Sequence, residues 1–234
     1  MEYSFFLRHL VGMEATEPSC FQQQGCHPNL GKIISAQALE FFLCASHPRR
    51  INRRVLRQVK WEKPELGWLK LNTDGSWNAA LGKVVEGGLI RDNLGNWVVG
   101  FTRKSGNVNS FSAEIWALRD GLMLCQQMKI PTIIIELDAK ALVDALNSPN
   151  YSNSVIFPLF DDCKCLISQI PQVRISHIFR EANKCADRFA NSGHAQDLEF
   201  IIHSTPPVDL VSFVEADYHG VSCNKLCPKF VFSC

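Results

Sequence analysis

Residues Gly67–Asn78 read G-W-L-K-L-N-T-D-G-S-W-N, and the rest of the chain is organised around them. Strict alternation puts Leu69, Leu71 and Thr73 on one face and Asn72, Asp74 and Ser76 on the other, the pattern of a strand with one polar face. This strand, roughly Trp68–Trp77, delivers a single carboxylate, Asp74, directly before the pair Gly75-Ser76.

Downstream, Lys83–Arg91 is a second strand whose interior Gly87-Gly88 predicts a bulge or a close backbone approach. Asp92-Asn93-Leu94-Gly95-Asn96 is a turn by composition, and Trp97–Arg103 is a third strand, so the three form an antiparallel meander. A long helix follows over about Ser110–Met128. Its residues Phe111, Ile115, Leu118, Leu122 and Cys125 make one buried stripe, with Glu114 beside it in the first turn. Thr132–Leu137 is an almost continuous apolar run, as in a buried central strand, and ends at Asp138. A short helix over Ala139–Leu146 is broken by Asn147-Ser148-Pro149-Asn150, and another spans about Val155–Ile170. Val173–Phe179 alternates as a fifth strand, and Ala182–Ser192 closes the series as a helix carrying Asp187 in its N-terminal half. The expected class is α/β, a sheet with helices on its faces.

Upstream the pattern fades. Residues 1–60 have weak periodicity, with one plausible helix from Ser35 to Ala45. Then Arg49, Arg50, Arg53, Arg54, Arg57 and Lys60 follow without an intervening acid, and their spacings of three and four would give a helix one cationic face. Such a segment reads as a nucleic-acid-binding arm, a nuclear import signal or a solvated linker. Beyond Gly193, the segments Phe200–His203 and Leu210–Val214 are apolar enough to lie against the core, whereas Ser222–Cys234 has no strong pattern. The organisation read from this is a basic extension (1–60), a domain (61–193) and a partly packed tail (194–234).

Composition sets further bounds. The 234 residues carry a net charge of +1 and 46% hydrophobic side chains, enough for a sizeable core but uninformative about partners. Phe5-Phe6-Leu7 before Arg8 is too short for a signal-peptide core, so the ten cysteines are expected as reduced thiols in an intracellular protein, nuclear or cytoplasmic. No apolar run reaches membrane-spanning length, so no membrane partner is expected. The cysteine spacings Cys223-x₃-Cys227 with Cys234 and His219, or Cys20, Cys26 and His27, suit zinc poorly. Trp77, Trp97 and Trp116 could stack on bases, but aromatics at such positions are more often core.

Four acids thus arrive on four elements: Asp74, Glu114, Asp138 and Asp187. Clustered carboxylates repel unless cations neutralise them. Hard divalent ions prefer oxygen ligands, and two of them about 4 Å apart can drive in-line displacement at a phosphodiester. The surrounding motifs L-N-T-D-G-S (71–76), G-G-L-I-R-D (87–92), S-A-E-I-W-A-L (112–118), I-E-L-D-A (135–139) and R-E-A-N-K-C-A-D-R-F-A (180–190) occur in this order. Together they resemble the type 1 ribonuclease H family, in the plant branch related to the ribonuclease H domains of non-LTR retroelements. The resemblance covers about Trp61–Gly193, and the tail through Gly220-Val221 also resembles this branch.

The resemblance implies a five-stranded mixed sheet flanked by helices. It also implies a D-E-D-D site in which Asp74, Glu114, Asp138 and Asp187 hold two Mg²⁺ ions, with Mn²⁺ as substitute. The implied activity is endonucleolytic hydrolysis of the RNA strand of RNA–DNA hybrids by a monomer, with nucleic-acid contacts at Gly75, Ser76, Asn109, Arg180 and Asn183. In that picture Asp74 and Asp138 hold the ions centrally, Glu114 lies toward the 2′-hydroxyl, and Asp187 completes the ion on the nucleophile side. Two departures stand out. The family often has a histidine in a loop before the last helix, where this chain has Arg180-Glu181-Ala182-Asn183. The candidates His177, read as a strand residue, and His194, read as exposed, do not replace it. The basic helical protrusion of some relatives also lacks a counterpart, since Asn150–Ile170 contains only Lys164. These departures keep open a non-catalytic module that binds nucleic acid or protein.

Overall fold

The computed structural model describes residues 54–78, 83–105, 110–148 and 158–228. Asn109 and the expected Ser35–Ala45 helix lie outside the described residues. Strand β1 is Arg54–Val59, β2 Leu69–Asn78, β3 Lys83–Arg91 and β4 Trp97–Ser105. Helix α1 (Ser110–Gln127) leads to β5 (Thr132–Leu137), α2 (Lys140–Asn147), α3 (Pro158–Ser168) and β6 (Gln172–His177). A single 3₁₀ turn (Arg180–Ala182) precedes α4 (Lys184–Ser192), followed by β7 (Phe200–His203), α5 (Val208–Tyr218) and β8 (Cys223–Pro228).

Six strands form one sheet in the order β6-β5-β2-β3-β4-β7. The meander β2-β3-β4 is antiparallel, β5 runs parallel to β2, and β6 runs parallel to β5. Leu71, Ile133, Ile135 and Leu137 meet Ile115, Leu118 and Leu122 of α1 in the main core, which α2 and α3 extend through Leu142 and Phe160. On the opposite face, α4 brings Cys185 and Ala186 against Leu89, backed by Phe213 and Val214 of α5. Gly87 and Gly88 are not a bulge, because the register shift falls at Ile90/Arg91 instead. A Cβ at Gly87 would stand 2.8 Å from the Ala190 backbone nitrogen, and one at Gly88 would stand 2.6 Å from the Phe101 ring. These glycines are close approaches.

Three expectations change. The sheet has six strands, since Phe200–His203 pairs antiparallel with Gly100–Arg103 at the edge. Four residues are too few for a period of two to register, and the pairing is set by a distant partner. Arg54–Val59 is a strand and not a cationic helical face, because it pairs with Cys223–Pro228 in a separate two-stranded ribbon and buries Val59. That long-range pairing overrides the local spacing of the arginines. His194 is half-buried, with both ring nitrogens enclosed and lacking a hydrogen-bond partner; burial and then Lys104 lower its pKa.

Beneath the segment that follows β1, a polar network fastens the open face of the sheet. Trp61 Nε1 donates to Asn72 Oδ1 (2.9 Å), and Arg91 Nη2 donates to the same oxygen (3.0 Å). The Arg91 guanidinium stacks 3.5 Å from the Trp61 ring and pairs with Asp217 of α5 at 2.7 Å. Lys70 and Asn72 both reach the Glu136 carboxylate. Arg91 is 1% exposed, and these partners offset the cost of burying its guanidinium. Among the described residues, no helix is long and apolar enough to cross a membrane.

Candidate active site

Adjacent parallel strands bring two of the acids level. Asn72 of β2 pairs in register with Glu136 of β5, so Asp74 and Asp138, each two residues further on, emerge side by side. Glu114 comes from the first turns of α1, which approaches β2 closely because Gly75 has no side chain. A Cβ there would lie 2.5 Å from Ala113 Cβ. One carboxylate oxygen each from Asp74, Glu114 and Asp138 lies within 4.8 Å of the other two. Among the described residues this is the group suited to a metal ion.

Asp187 stands at the border of this group. It sits in the first turn of α4, and its carboxylate pairs with Arg180 at 2.8 Å. Its charge still reaches inward, raising the pKa of both Asp74 and Asp138.

The electrostatics are those of a site built for cations. Burial, then the charges of Asp138 and Asp187, push the Asp74 carboxyl well above the usual range, against the pull of Arg180. Burial, then the neighbouring Asp74 and Asp138, do the same to Glu114, while the Gly75 N–H donates to its carboxylate and opposes the rise. Asp138 is raised by burial first and lowered by Arg180. Two oxygens, Asp74 Oδ2 and Glu114 Oε2, are buried with no hydrogen-bond partner. Buried acceptors are rarely left orphaned. Clustered, oxygen-only and under-satisfied, these acids fit a hard divalent cation.

A second tier of residues holds the acids in place. Asn183 is 2% exposed and donates its amide to the Thr73 carbonyl (3.0 Å), which clamps the start of α4 onto β2 one residue before Asp74. The role the structure gives Asn183 is this clamp between α4 and β2. Ser76 donates to Asn191 Oδ1, and Asn191 in turn donates to the backbone carbonyl of Asp187 (2.7 Å). The His177 ring bonds the Asp138 backbone from the end of edge strand β6, and burial followed by Lys140 lowers its pKa. Asn191 escaped the sequence reading, and His177 was read only as a strand residue, without its link to Asp138. Asn191 could have been found four residues after Asp187 on the same helical face, whereas nothing local points from His177 to Asp138. Arg180 is exposed, with its guanidinium over the acids. Gly75 and Ser76 are half-buried, and their polar groups are turned to Glu114 and Asn191.

A family model described as reverse transcriptase-like matches residues 72–193, the stretch that carries all four acids. The chain belongs to the reverse transcriptase-like family. A curated relative, the putative ribonuclease H protein At1g65750 of Arabidopsis thaliana, is 32% identical over 167 residues. That alignment takes in 71% of this reverse transcriptase-like chain but only 27% of the relative, so the chain spans about a quarter of the relative's length. Among solved structures, ribonuclease H1 from the archaeon Halobacterium salinarum NRC-1 superposes with a TM-score of 0.50 at 20% identity. The match covers 54% of this chain and 97% of that one. The fold is therefore ribonuclease H-like.

Proposed function

We propose that this chain is a divalent-metal-dependent endonuclease that hydrolyses the RNA strand of RNA–DNA hybrids. The observation that carries the proposal is the convergence of Asp74, Glu114 and Asp138 within 4.8 Å, with two orphaned carboxylate oxygens between them. Asp74 and Asp138 would hold the ion most centrally and Glu114 would complete its inner side. When bound, Mg²⁺ supplies Lewis acidity and an activated water for in-line displacement at phosphorus. The chain's own residues do the positioning. The parallel register of β2 and β5 sets the two aspartates level, Gly75 admits α1 so that Glu114 can reach them, and the Asn183 clamp keeps α4 in place. Asp187, oriented by Asn191, would help hold a second ion. Arg180, exposed and paired with Asp187, would exchange that carboxylate for a substrate phosphate. The 2′-hydroxyl is the chemical group by which such a site distinguishes RNA from DNA.

A second reading, a module that binds nucleic acid without cleaving it, is favoured by one observation. The Arg180–Asp187 pair takes up the fourth carboxylate, an acid that the cleavage reading needs for an ion. Labelled RNA–DNA hybrid, double-stranded RNA and double-stranded DNA, each incubated with Mg²⁺, Mn²⁺ or EDTA, separate the two readings. Metal-dependent cutting confined to the RNA of the hybrid is the expected result. Binding of the hybrid by folded protein with no cutting at any metal concentration would favour the second.

A further inference from the structure

Away from the acids, the first residue of α4 meets the first residue of β8. Lys184 Nζ lies 2.7 Å from Cys223 Sγ. Lys70, Lys140 and Lys225 each end on a carboxylate, of Glu136, Asp144 and Glu181. Among the described residues, the polar partner of Lys184 is this sulfur. Lys184 is exposed, and Cys223 is half-buried against the cluster of Val59, Trp61, Ile178 and Ala182. Both are held on fixed backbone: α4 starts directly after the clamped Asn183, and Cys223 pairs in register with Val59. An amine and a thiol presented this way react as if at very high concentration.

The other described thiols are placed differently. Burial pushes Cys125 and Cys163 up to about 12, which leaves them inert. Cys185 and Cys227 are buried as well. Cys165 is exposed, but the group that meets it is the Gln169 carboxamide, which is no nucleophile.

We propose that Lys184 and Cys223 form a covalent modification site, in which a hydroperoxide couples Lys184 Nζ to Cys223 Sγ. The sulfur attacks one oxygen of hydrogen peroxide, the O–O bond breaks, and Cys223 becomes a sulfenic acid with release of one water. The Lys184 amine, its ammonium proton lost to solvent, then attacks the sulfur. The S–O bond breaks, the hydroxyl leaves as a second water with a proton from the nitrogen, and an S–N bond remains. Overall the thiol and amine lose two hydrogens and one hydrogen peroxide is reduced to two waters. Excess thiol reverses the step, restoring the amine and Cys223 as the reductant becomes a disulfide. The cross-link fastens β8 to the same helical turn that carries Asp187.

The test is to titrate the full chain with hydrogen peroxide until Cys165 is oxidised, then digest it without reductant and map the peptides by mass spectrometry. The expected product joins the Lys184 and Cys223 peptides with a mass lower by two hydrogens. It disappears on treatment with dithiothreitol and is missing from Cys223→Ser and Lys184→Gln. A joined pair heavier by one oxygen atom, formed with further peroxide, supports the same site. If Cys165 is oxidised while Cys223 remains a thiol, forms a disulfide or proceeds to sulfinic acid without capturing Lys184, the proposal is overturned. The readout is independent of nuclease activity, so its failure leaves the reading of the acidic site untouched.

Discussion

Asp74 is costly where it stands, since it is 2% exposed, lies beside Glu114 and Asp138, and has one oxygen without a partner. Asp74→Asn removes charge from a repelling cluster while keeping the side chain's size. Two outcomes follow: hybrid cleavage falls to background, and the melting temperature in EDTA stays equal to or above that of the parent. Mg²⁺, which stabilises the native state by binding it, should raise the melting temperature of the parent and not of the variant. Thermal scans with and without Mg²⁺, beside the cleavage assay, check both. Glu86 presents the opposite situation, a buried acid outside the site. It is fully enclosed, accepts from Ser105 at 2.7 Å and leaves Oε1 unpaired; burial pushes its pKa up to about 7. A carboxyl raised on folding stabilises in its protonated form. That contribution is complete below its unfolded value of about 4.5 and is lost as pH rises through about 7. Glu86→Gln should therefore add on the order of 2 kcal/mol at pH 8 and almost nothing at pH 4. Denaturant midpoints at the two pH values measure it, and an equal gain at both would show that ionisation of Glu86 is not the cause.

At the scale of elements, glycines set how closely helix and sheet approach. Gly87 faces the backbone of Ala190, which cannot rotate aside as a side chain could. Gly87→Ala should cost about 1–3 kcal/mol and displace α4 together with Asp187. A lowered midpoint in urea with weakened cleavage is the expected pair of results; unchanged stability would mean that α4 can slide. The elements themselves were legible wherever a period ran long enough. β3 and β5 fall at the bounds read from their apolar runs, and α1 differs by one residue at its C-terminus. The level emergence of Asp74 and Asp138 was not legible, because it depends on the parallel pairing of β2 with β5, which no local pattern announces. Other pairings fixed by distant partners were no more legible. Val55 and Val59 are β-branched and favour a strand, but the arginines between and before them have helical spacing, and only pairing with Cys223–Pro228 decides the matter. Asn183 entered only as a nucleic-acid contact implied by the resemblance; its burial depends on the Thr73 carbonyl of another element, which no local pattern reveals.

Over the whole molecule, the two faces of the sheet have different tasks. One carries the apolar core beneath α1, α2 and α3. The other carries polar groups in layers: Arg91, Asn72, Lys70 and Glu136 under Trp61, then the acids, then the clamp from α4. Because Arg91 reaches from β3 to both Trp61 and Asp217, residues on either side of the stretch matched by the family belong to the same packed unit. The ribbon of β1 and β8 adds a geometric consequence. Arg54 stands directly opposite Pro228, so the first and last described residues lie on neighbouring strands about 5 Å apart. Two positions placed this way can be relinked. Joining residue 228 to residue 54 by a short glycine-serine bridge, and opening the chain at the exposed turn between Asn93 and Leu94, should give a circular permutant with the same sheet. It should melt cooperatively and retain the metal-dependent shift of the parent. By the same geometry, the unit could be spliced into a surface loop of an unrelated host without prising that loop apart.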